Sequence, residues 1–504
     1  MLGAFALACG AAAAWAQVTD DPAKPVLRST LAATTTTPPA PPPRATDDTT
    51  PGTIRYLSPP GIGAGPTGFI STGVDPRRAR KAKKSVTTRP AVPAPAAAAT
   101  TTEARANPDL TGAIAPVRRP PRRLEDEEPF GPAGIPFGSF TLRSILDLSA
   151  GYDTNALRTP GGPGSWFTVV APQFSLRSNW ARHELNAELR GSYSSYYDVS
   201  ANNRPEAYAN IRGRIDVSTL TRLEIEGRAA LTTESPGSPD AVSTAVRPPN
   251  VYSYGSTIGV MQRFNRFELA LRGLVDRYTY ENAMLTSGAI FDLSDRNYVA
   301  PGLRLRGSYE LSEGIKPFVE IGVDRRMFDR EIDFTGIRRG SDGWLVRGGF
   351  AFERKGFLTG EVSAGYLQRR YRDPSLPEIS GLIFDSSLVW TATPLTKVTL
   401  YAVSTIDETM VPSASGLFRH EARITVEHAF RRWLLGSVSL GYGIEDYRGS
   451  GLVDHRLRAS ASLTYYFNRM LALRGELRHE RLRSDLPGQD YTANVALLGL
   501  RLQR

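Results

Sequence analysis

The sequence predicts an all-β protein: a transmembrane up-and-down antiparallel β-barrel of about eighteen strands, preceded by a long disordered N-terminal arm. Three observations support this fold class. From Phe140 to Arg504, segments of about ten residues alternate apolar with polar side chains. The breaks between these segments are alternately short and long, and aromatic residues lie at the segment ends. Barrels of the bacterial outer membrane have these features because lipid-facing and lumen-facing side chains alternate along every strand.

The alternation is clearest in residues 184–197. Leu185 and Leu189 fall on one face of this segment, and Glu188 and Arg190 fall on the other. A period of two excludes a helix, in which neighbouring positions on one face are three or four residues apart. A soluble β-sandwich also alternates, so the period by itself leaves both folds open.

The lengths of the breaks favour the membrane barrel over the sandwich, because short turns on one side and long loops on the other are typical of outer-membrane barrels. Short breaks lie near Ala181, Thr219, Asn265, Ser312, Lys355, Pro394, Arg431 and Asn468. Long breaks lie at 155–165, 198–205, 233–250, 281–296, 329–341, 372–380, 407–417, 446–453 and 482–489. An even number of strands places both ends of the barrel on one side, which we expect to be the periplasmic side.

The predicted strands cover eighteen segments: 139–153, 166–179, 184–197, 206–218, 221–232, 252–263, 267–280, 297–311, 315–328, 342–353, 357–371, 382–391, 396–406, 418–429, 433–445, 454–467, 470–481 and 491–502. Aromatic residues such as Trp166, Trp180, Trp344, Trp390 and Trp433 lie near their ends. Such residues form girdles at the two membrane interfaces.

Composition divides the chain into three predicted parts. Residues 1–16 are apolar and alanine-rich and are predicted to be a signal peptide. Residues 17–136 are crowded with Pro, Ala and Thr and are predicted to be a disordered periplasmic arm. Residues 137–504 are the predicted barrel. The single cysteine, Cys9, falls in the signal, so the mature chain has no disulfide, thiolate nucleophile or zinc–cysteine site.

Charge in the arm suggests possible partners. The run from Arg77 to Lys84 is basic and either keeps an unfolded tail solvated or contacts an anionic surface such as a polysaccharide or the cell wall. A net charge of +10 would also suit nucleic acid. The secretory signal and the lack of a nucleic-acid-binding motif argue against that partner. The other expected partners are outer-membrane lipid and the barrel assembly machinery.

The inward face of the barrel is predicted to be charged and to line the pore. By alternation its candidate pore-lining residues are Arg190, Arg212, Arg214, Arg228, Arg304, Arg306, Arg347, Arg369, Arg423, Arg456, Arg458, Glu224 and Glu226. Across the turn at Thr219, Arg214 should lie opposite or diagonal to Glu224, and Arg212 to Glu226. Two interpretations remain open: a ladder of ion pairs that stiffens the wall, or arginines that bind passing anions.

The sequence argues against an enzyme. Four of the five histidines, His183, His420, His428 and His479, are predicted to face lipid, and His455 lies at a strand mouth. A Ser/His pair on the outer wall, as in outer-membrane lipases, would need His420 or His428, but no orienting acid shares the lipid face of their strand. Metal-ligand spacings, phosphate loops and dinucleotide fingerprints are absent from the sequence, so no cofactor is expected.

Two segments resemble a known family. Ala150-Gly151-Tyr152-Asp153-Thr154-Asn155 resembles the G-x-Y-D-S/T-N opening of the putative beta-barrel porin 2 family, and the segment from Gly365 to Leu376 is similar to an inner segment of the same barrels. The resemblance covers residues 139–504. It implies an outer-membrane barrel, in a family often linked to exopolysaccharide export.

The sequence therefore predicts a porin or conduit for hydrophilic, anionic solutes or exopolysaccharide, because sixteen to eighteen strands leave room for an aqueous channel. The alternative is a structural barrel whose lumen is closed by its own ion pairs and loops and whose arm tethers the envelope.

Overall fold

The structure, a computed structural model, describes residues 130–504 apart from 235–239, 241, 243–244, 355–356 and 412. The predicted signal peptide, most of the predicted arm and its basic run from Arg77 to Lys84 lie outside the described residues. Within them, eighteen long antiparallel strands form one closed barrel. Among the described residues, no helix is long and apolar enough to cross a membrane.

The barrel strands, numbered here in chain order, agree with the eighteen predicted segments. They are β1 Phe140–Asp153, β2 Ser165–Ser178, β3 Glu184–Tyr196, β4 Arg204–Asp216, β5 Thr221–Thr233, β6 Asn250–Phe264, β7 Phe267–Tyr280, β8 Tyr298–Tyr309, β9 Ile315–Phe328, β10 Ser341–Arg354, β11 Leu358–Tyr371, β12 Ile379–Thr393, β13 Thr396–Asp407, β14 Gly416–Arg431, β15 Leu434–Arg448, β16 Leu452–Tyr466, β17 Leu471–Ser484 and β18 Tyr491–Gln503.

Each strand pairs with its neighbours in sequence, and the last strand closes the barrel on the first. The pairing of β18 with β1 runs from Gln503 opposite Ile145 to Val495 opposite Asp153. A closed barrel has no edge strand, so each strand forms backbone hydrogen bonds with a neighbour on both sides.

The connections alternate between the two ends of the barrel, as predicted. One end carries the short turns, such as residues 265–266 and 394–395, and is called the short-turn end below. The other end, the long-loop end, carries loops such as 234–249, 281–297 and 329–340. One predicted long loop, 446–453, is wrong: β15 runs to Arg448 and β16 starts at Leu452. Gly449 and Gly451 both adopt positive φ, which lets the chain reverse within three residues.

The outer wall of the barrel is apolar and exposed, and the inner wall is polar. Leu189, Ile225 and Leu463 point outward, with 49%, 42% and 48% of their surface accessible. The residues that alternate with them are mostly Arg, Glu, Ser and Gly. Apolar side chains on an outer surface are stable where lipid replaces water, so this pattern is typical of a membrane-embedded wall.

The last residues of the predicted arm pack on the short-turn end. A short strand, Ile135–Phe137, pairs with the start of β1. The Phe130 ring stacks on Tyr466 with 5.5 Å between centroids, and Gln503 donates a hydrogen bond to the Phe130 carbonyl. The chain therefore enters the barrel at the end that carries the short turns.

Candidate functional site

The candidate arginines and glutamates lie on the inward face in three separate groups. The first group is on β8–β12, the second is on β14–β17, and the third is on β3–β7. Each group contains arginines paired with carboxylates of the same wall. The groups differ in how far water and solutes can reach their side chains.

The first group is a buried ion-pair network. The Arg306 guanidinium donates to both oxygens of Glu361, at 3.1 and 2.7 Å, and stacks over the Phe318 ring at 3.5 Å. Arg347 binds Glu320 through its Nη2 at 2.8 Å. The side chains of Arg347 and Glu320 are only 3% and 4% accessible, so this network forms part of the packed wall rather than a surface open to solutes.

Several ion pairs in the wall cross an intervening strand at a glycine. Arg369 on β11 and Asp324 on β9 both lie opposite Gly343 on β10, and the two side chains meet over that glycine. A Cβ at Gly343 would lie 2.7 Å from the Arg369 Nη2. Arg228 reaches Asp276 over Gly255 in the same way. Glycine lets a long side chain lie flat across its neighbour and bind a carboxylate two strands away.

The same opposition to glycine recurs along the inward face. Seven of the candidate arginines have glycine as a register partner: Arg228, Arg304, Arg347, Arg369, Arg423, Arg456 and Arg458. The alternating sequence pattern does not reveal this arrangement by itself, because alternation relates only residues on adjacent strands. The signal was present, since the glycines recur at inward positions of the alternating pattern.

The second group gathers around Glu480. Its Oε1 accepts hydrogen bonds from Arg456 Nη1 at 3.1 Å and from Arg458 Nε at 3.4 Å. Arg158, which follows β1, reaches into the barrel and binds Glu480 at 3.2 Å and Asp153 at 2.8 Å. Arg158 was not among the predicted site residues, because it lies in a loop where no alternation indicates the direction of a side chain.

The family-like segment at the end of β1 builds a turn. The Asp153 carboxylate accepts from the Asn155 backbone N–H at 3.0 Å and binds Arg158. The Asn155 side chain donates to the Thr159 carbonyl at 2.7 Å and accepts from the Thr159 N–H at 3.2 Å. The aspartate and asparagine of this segment therefore fix the loop that carries Arg158 into the barrel.

The third group is the most accessible. Arg212 lies opposite Glu226, as predicted, and binds it at 3.0 Å. Arg214 lies opposite Glu224 but binds Glu184 on the other neighbouring strand, also at 3.0 Å. The Arg212 side chain is 37% accessible, against 3% for Arg347. Arginines in this part of the wall can therefore be reached from the lumen.

A row of small side chains crosses the inward face beside this third group. Successive register partners run from Arg204 on β4 to Arg474 on β17, and the four residues between them are Ser194, Val169, Ser149 and Gly499. Arg204 is the first residue of β4 at the long-loop end, while Arg474 lies near the short-turn end of β17. The row is oblique because barrel strands tilt by about 40°. We call these six residues the oblique row.

Residues of the oblique row line a cleft on the inward face. The cleft is also bordered by Tyr196, Ser192 and Arg478. Small side chains leave space where the opposite wall is filled by its ion-pair network. The cleft therefore lies in the barrel interior along the wall that joins Arg204 to Arg474.

Long loops meet at the long-loop end and cover part of the opening. Asp240, in the loop between β5 and β6, is fully buried and accepts hydrogen bonds from the Thr409 hydroxyl at 2.8 Å and the Met410 N–H at 2.6 Å. Thr409 and Met410 lie between β13 and β14, on the opposite side of the barrel. This contact, called the Asp240 latch below, joins two sides of the opening.

The Asp240 latch should depend on pH. Burial raises the pKa of Asp240 to about 7, and the charge of Arg296 opposes that rise. The pKa in the closed latch exceeds the ordinary value of 3.8, so the closed form binds the proton more tightly than an open loop. The latch should lose stability as pH rises from about 4 to about 7 and should stay weak above that range.

Limited proteolysis of loop 408–415 between pH 5 and pH 8 measures this dependence. We expect stronger protection at pH 5 and a much flatter profile in Asp240→Asn, which keeps an acceptor oxygen but cannot titrate. The ratio of the two proteins cancels the pH dependence of the protease. Glu234 faces the same cluster, and its raised pKa adds a change of the same sign. Tyr447 also lies near Asp240. Equal proteolysis profiles for wild type and Asp240→Asn would contradict the assignment of the pH dependence to Asp240.

The histidines form single hydrogen bonds within the wall and its turns. His420 Nδ1 lies 2.8 Å from the Ser404 hydroxyl, and His428 Nδ1 lies 2.9 Å from the Thr396 hydroxyl. Ser404 is 2% accessible and accepts a hydrogen bond from the Phe384 N–H, so its hydroxyl is not presented to a substrate. Within residues 130–504 as described, no group of three or more His, Cys, Asp or Glu is placed to hold a metal ion.

The closed barrel, its apolar outer wall and its charged interior together define a porin-type β-barrel of the outer membrane. Residues 128–504 match the family described as Putative beta-barrel porin 2, and the chain belongs to that family. A comparison with curated proteins finds no match.

Solved outer-membrane barrels are similar to this chain in fold. The outer membrane protein OpdK from Pseudomonas aeruginosa is 13% identical, with a TM-score of 0.36 over 72% of this chain and 99% of that chain. OccAB4 from Acinetobacter baumannii is 10% identical, with a TM-score of 0.37 over 72% of this chain and 98% of that chain.

Proposed function

We propose that the protein is a passive outer-membrane conduit for hydrophilic anionic solutes or exopolysaccharide. The observation that carries this proposal is the oblique row, whose small side chains extend from the long-loop end towards the short-turn end between two arginines. In this proposal the long loops face the cell exterior, and the arm lies in the periplasm with the short turns.

Membership of a porin family and the size of the barrel support the proposal. Eighteen strands give a barrel wide enough for an aqueous channel, whereas about eight strands would fill their own interior. Solute-accessible arginines such as Arg212 and Arg478 lie along the same wall as the oblique row. A guanidinium binds carboxylate or sulfate through parallel hydrogen bonds, so it favours anions over neutral solutes.

A second candidate function is a structural barrel with a closed lumen whose arm tethers the envelope. The burial of the first ion-pair group favours it, because Arg306, Arg347 and Arg369 fill space in the β8–β12 wall. The Asp240 latch across the long-loop end favours it as well. The two candidates differ in whether ions cross the folded protein.

Reversal potentials in planar bilayers test the proposed selectivity. The variant Arg190→Gln/Arg212→Gln removes two positive charges from the accessible inner wall. Wild type should prefer anions at 0.01 M salt, where the Debye length is about 30 Å, and the double variant should shift towards cations. Both proteins should lose most of their selectivity at 1 M salt, where the Debye length is about 3 Å.

Arg325→Gln is the matched control, because Arg325 is 54% accessible and lies on the outer face of β9. Its reversal potential should equal that of wild type. A channel that conducts but responds equally to the double variant and to Arg325→Gln would show that the inner-wall arginines do not set the selectivity.

A further inference from the structure

Arg204 is a buried arginine with unused hydrogen-bonding capacity. The residue is only 4% accessible, and its Nη2 donates to the Tyr196 hydroxyl at 2.9 Å. Its guanidinium also lies over the Tyr196 ring, 5.5 Å from the centroid. Among the residues that the structure describes, its Nη1 has no hydrogen-bond partner. A buried guanidinium nitrogen without an acceptor is costly, so it favours a ligand that supplies one.

The space in front of Arg204 is the cleft that contains the oblique row. Arg204 itself lines this cleft, together with its register partner Ser194 and the neighbouring Ser192. Tyr196 and Phe167 form one border, with their rings stacked at 4.9 Å. The cleft therefore offers hydroxyl groups and an aromatic border next to one guanidinium.

The other charges of the cleft are already engaged. Arg158 is held by Asp153 and Glu480, and Asp147 is bound by Arg501 at 2.8 Å. The remaining acids also have partners: Glu476 lies 3.3 Å from Arg474 and also binds Arg478, and Glu206 accepts from Ser192 at 3.3 Å. Among the described residues, Arg474 Nε and Nη2 also lack a hydrogen-bond partner, but the Arg474 guanidinium lies 3.3 Å from Glu476 and near the short-turn end of β17. At the long-loop end of the cleft, one arginine with an open donor suits a singly charged oxyanion. Bringing a doubly charged ion among these carboxylates would add repulsion that a single arginine does not offset.

We propose that Arg204 and the serines beside it form a binding subsite for the carboxylate of a hydroxyl-bearing solute, at the long-loop end of the oblique row. This inference rests on the proposed function, because it assigns the point at which an anionic solute first contacts the conduit. The carboxylate accepts from Arg204 Nη1, and the solute hydroxyls exchange hydrogen bonds with Ser192 and Ser194.

Titration calorimetry of the refolded full-length protein in detergent tests the subsite without requiring conduction. The probes are sodium gluconate, its neutral counterpart sorbitol, and sodium sulfate. Gluconate should bind wild type saturably, sorbitol should not bind detectably, and sulfate should bind about tenfold more weakly than gluconate or worse.

Arg204→Gln should weaken gluconate binding by about tenfold or more, since a charged hydrogen bond is lost. Arg325→Gln removes the same charge from the outer face of β9, away from the cleft, so its affinity should equal that of wild type. Ser194→Ala removes one hydroxyl without adding bulk to the cleft and should weaken gluconate binding about threefold. Far-ultraviolet circular dichroism of each variant verifies the barrel, and Ser194→Ala tests the subsite if Arg204→Gln does not fold.

Unchanged gluconate affinity in a folded Arg204→Gln would overturn the subsite, as would an equal loss in Arg325→Gln. Equal affinities for sulfate and gluconate would overturn the carboxylate assignment. Conduction without gluconate binding would refute the subsite but would agree with the proposed conduit. Gluconate binding that requires Arg204, in a protein that never conducts, would establish the subsite and refute the conduit.

Discussion

Replacing Glu361 by Gln is expected to lower the free energy of unfolding by about 3–5 kcal/mol. Glu361 is fully buried, and both of its carboxylate oxygens accept hydrogen bonds from Arg306. In Glu361→Gln an amide nitrogen replaces one acceptor and faces a guanidinium donor. The charge of Arg306 then remains buried without a full counter-charge, which costs far more than an exposed pair contributes.

Urea unfolding of the refolded protein in lipid vesicles measures this loss. The matched control is Asp342→Asn, which also changes a carboxylate to an amide beside an arginine. Asp342 binds Arg325 at 2.6 Å, but both side chains are 54% accessible, so the expected cost is about 0–1 kcal/mol. Similar losses in the two variants would mean that water reaches the β8–β12 wall and that the first group is not a packed network.

Leu189→Arg is expected to cost about 2–4 kcal/mol, because it places a charge on the lipid-facing wall. Leu189 lies in the middle of β3, faces outward and is 49% accessible. An arginine there has no ion-pair partner on the outer face and must either enter hydrocarbon or distort the strand. The same unfolding assay in vesicles measures the effect.

Arg190→Leu, at the next position of β3, is the control. It places an apolar side chain on the inner wall and removes the partner of Glu188, which also lies near Gln173 at 3.5 Å. Its cost should be smaller than that of Leu189→Arg because water in the lumen can solvate Glu188. A larger cost for Arg190→Leu would show that the alternation is shifted by one residue or that Arg190 anchors a buried network.

The strands were predictable from the sequence because membrane and lumen impose opposite requirements on successive residues. The segment 184–197 corresponds to β3, and the turn near Asn265 occurs where it was expected. The loop at 446–453 was wrong because Glu445 to Arg448 continue the strand, and the reversal occurs within Gly449–Gly451. Alternation weakens at strand ends, where neither lipid nor lumen imposes the pattern.

The candidate site was less predictable than the fold. Alternation placed Arg212 opposite Glu226, but it could not show that Arg369 crosses Gly343 to reach Asp324 two strands away. Arg204 was missed because it is the first residue of its strand, beside a loop. Contacts between strands that are not neighbours depend on side-chain length and on the absence of a Cβ. The alternation of apolar and polar residues gives no information about either.

Single-channel recording tests the conduit most directly. Refolded full-length protein in planar bilayers should give discrete conductance steps. Ser149→Trp, which fills the middle of the oblique row, should reduce them strongly, while Leu148→Trp on the outer wall should leave them unchanged. A folded protein that gives no steps, or one whose steps are the same in Ser149→Trp, would contradict a conduit along the oblique row.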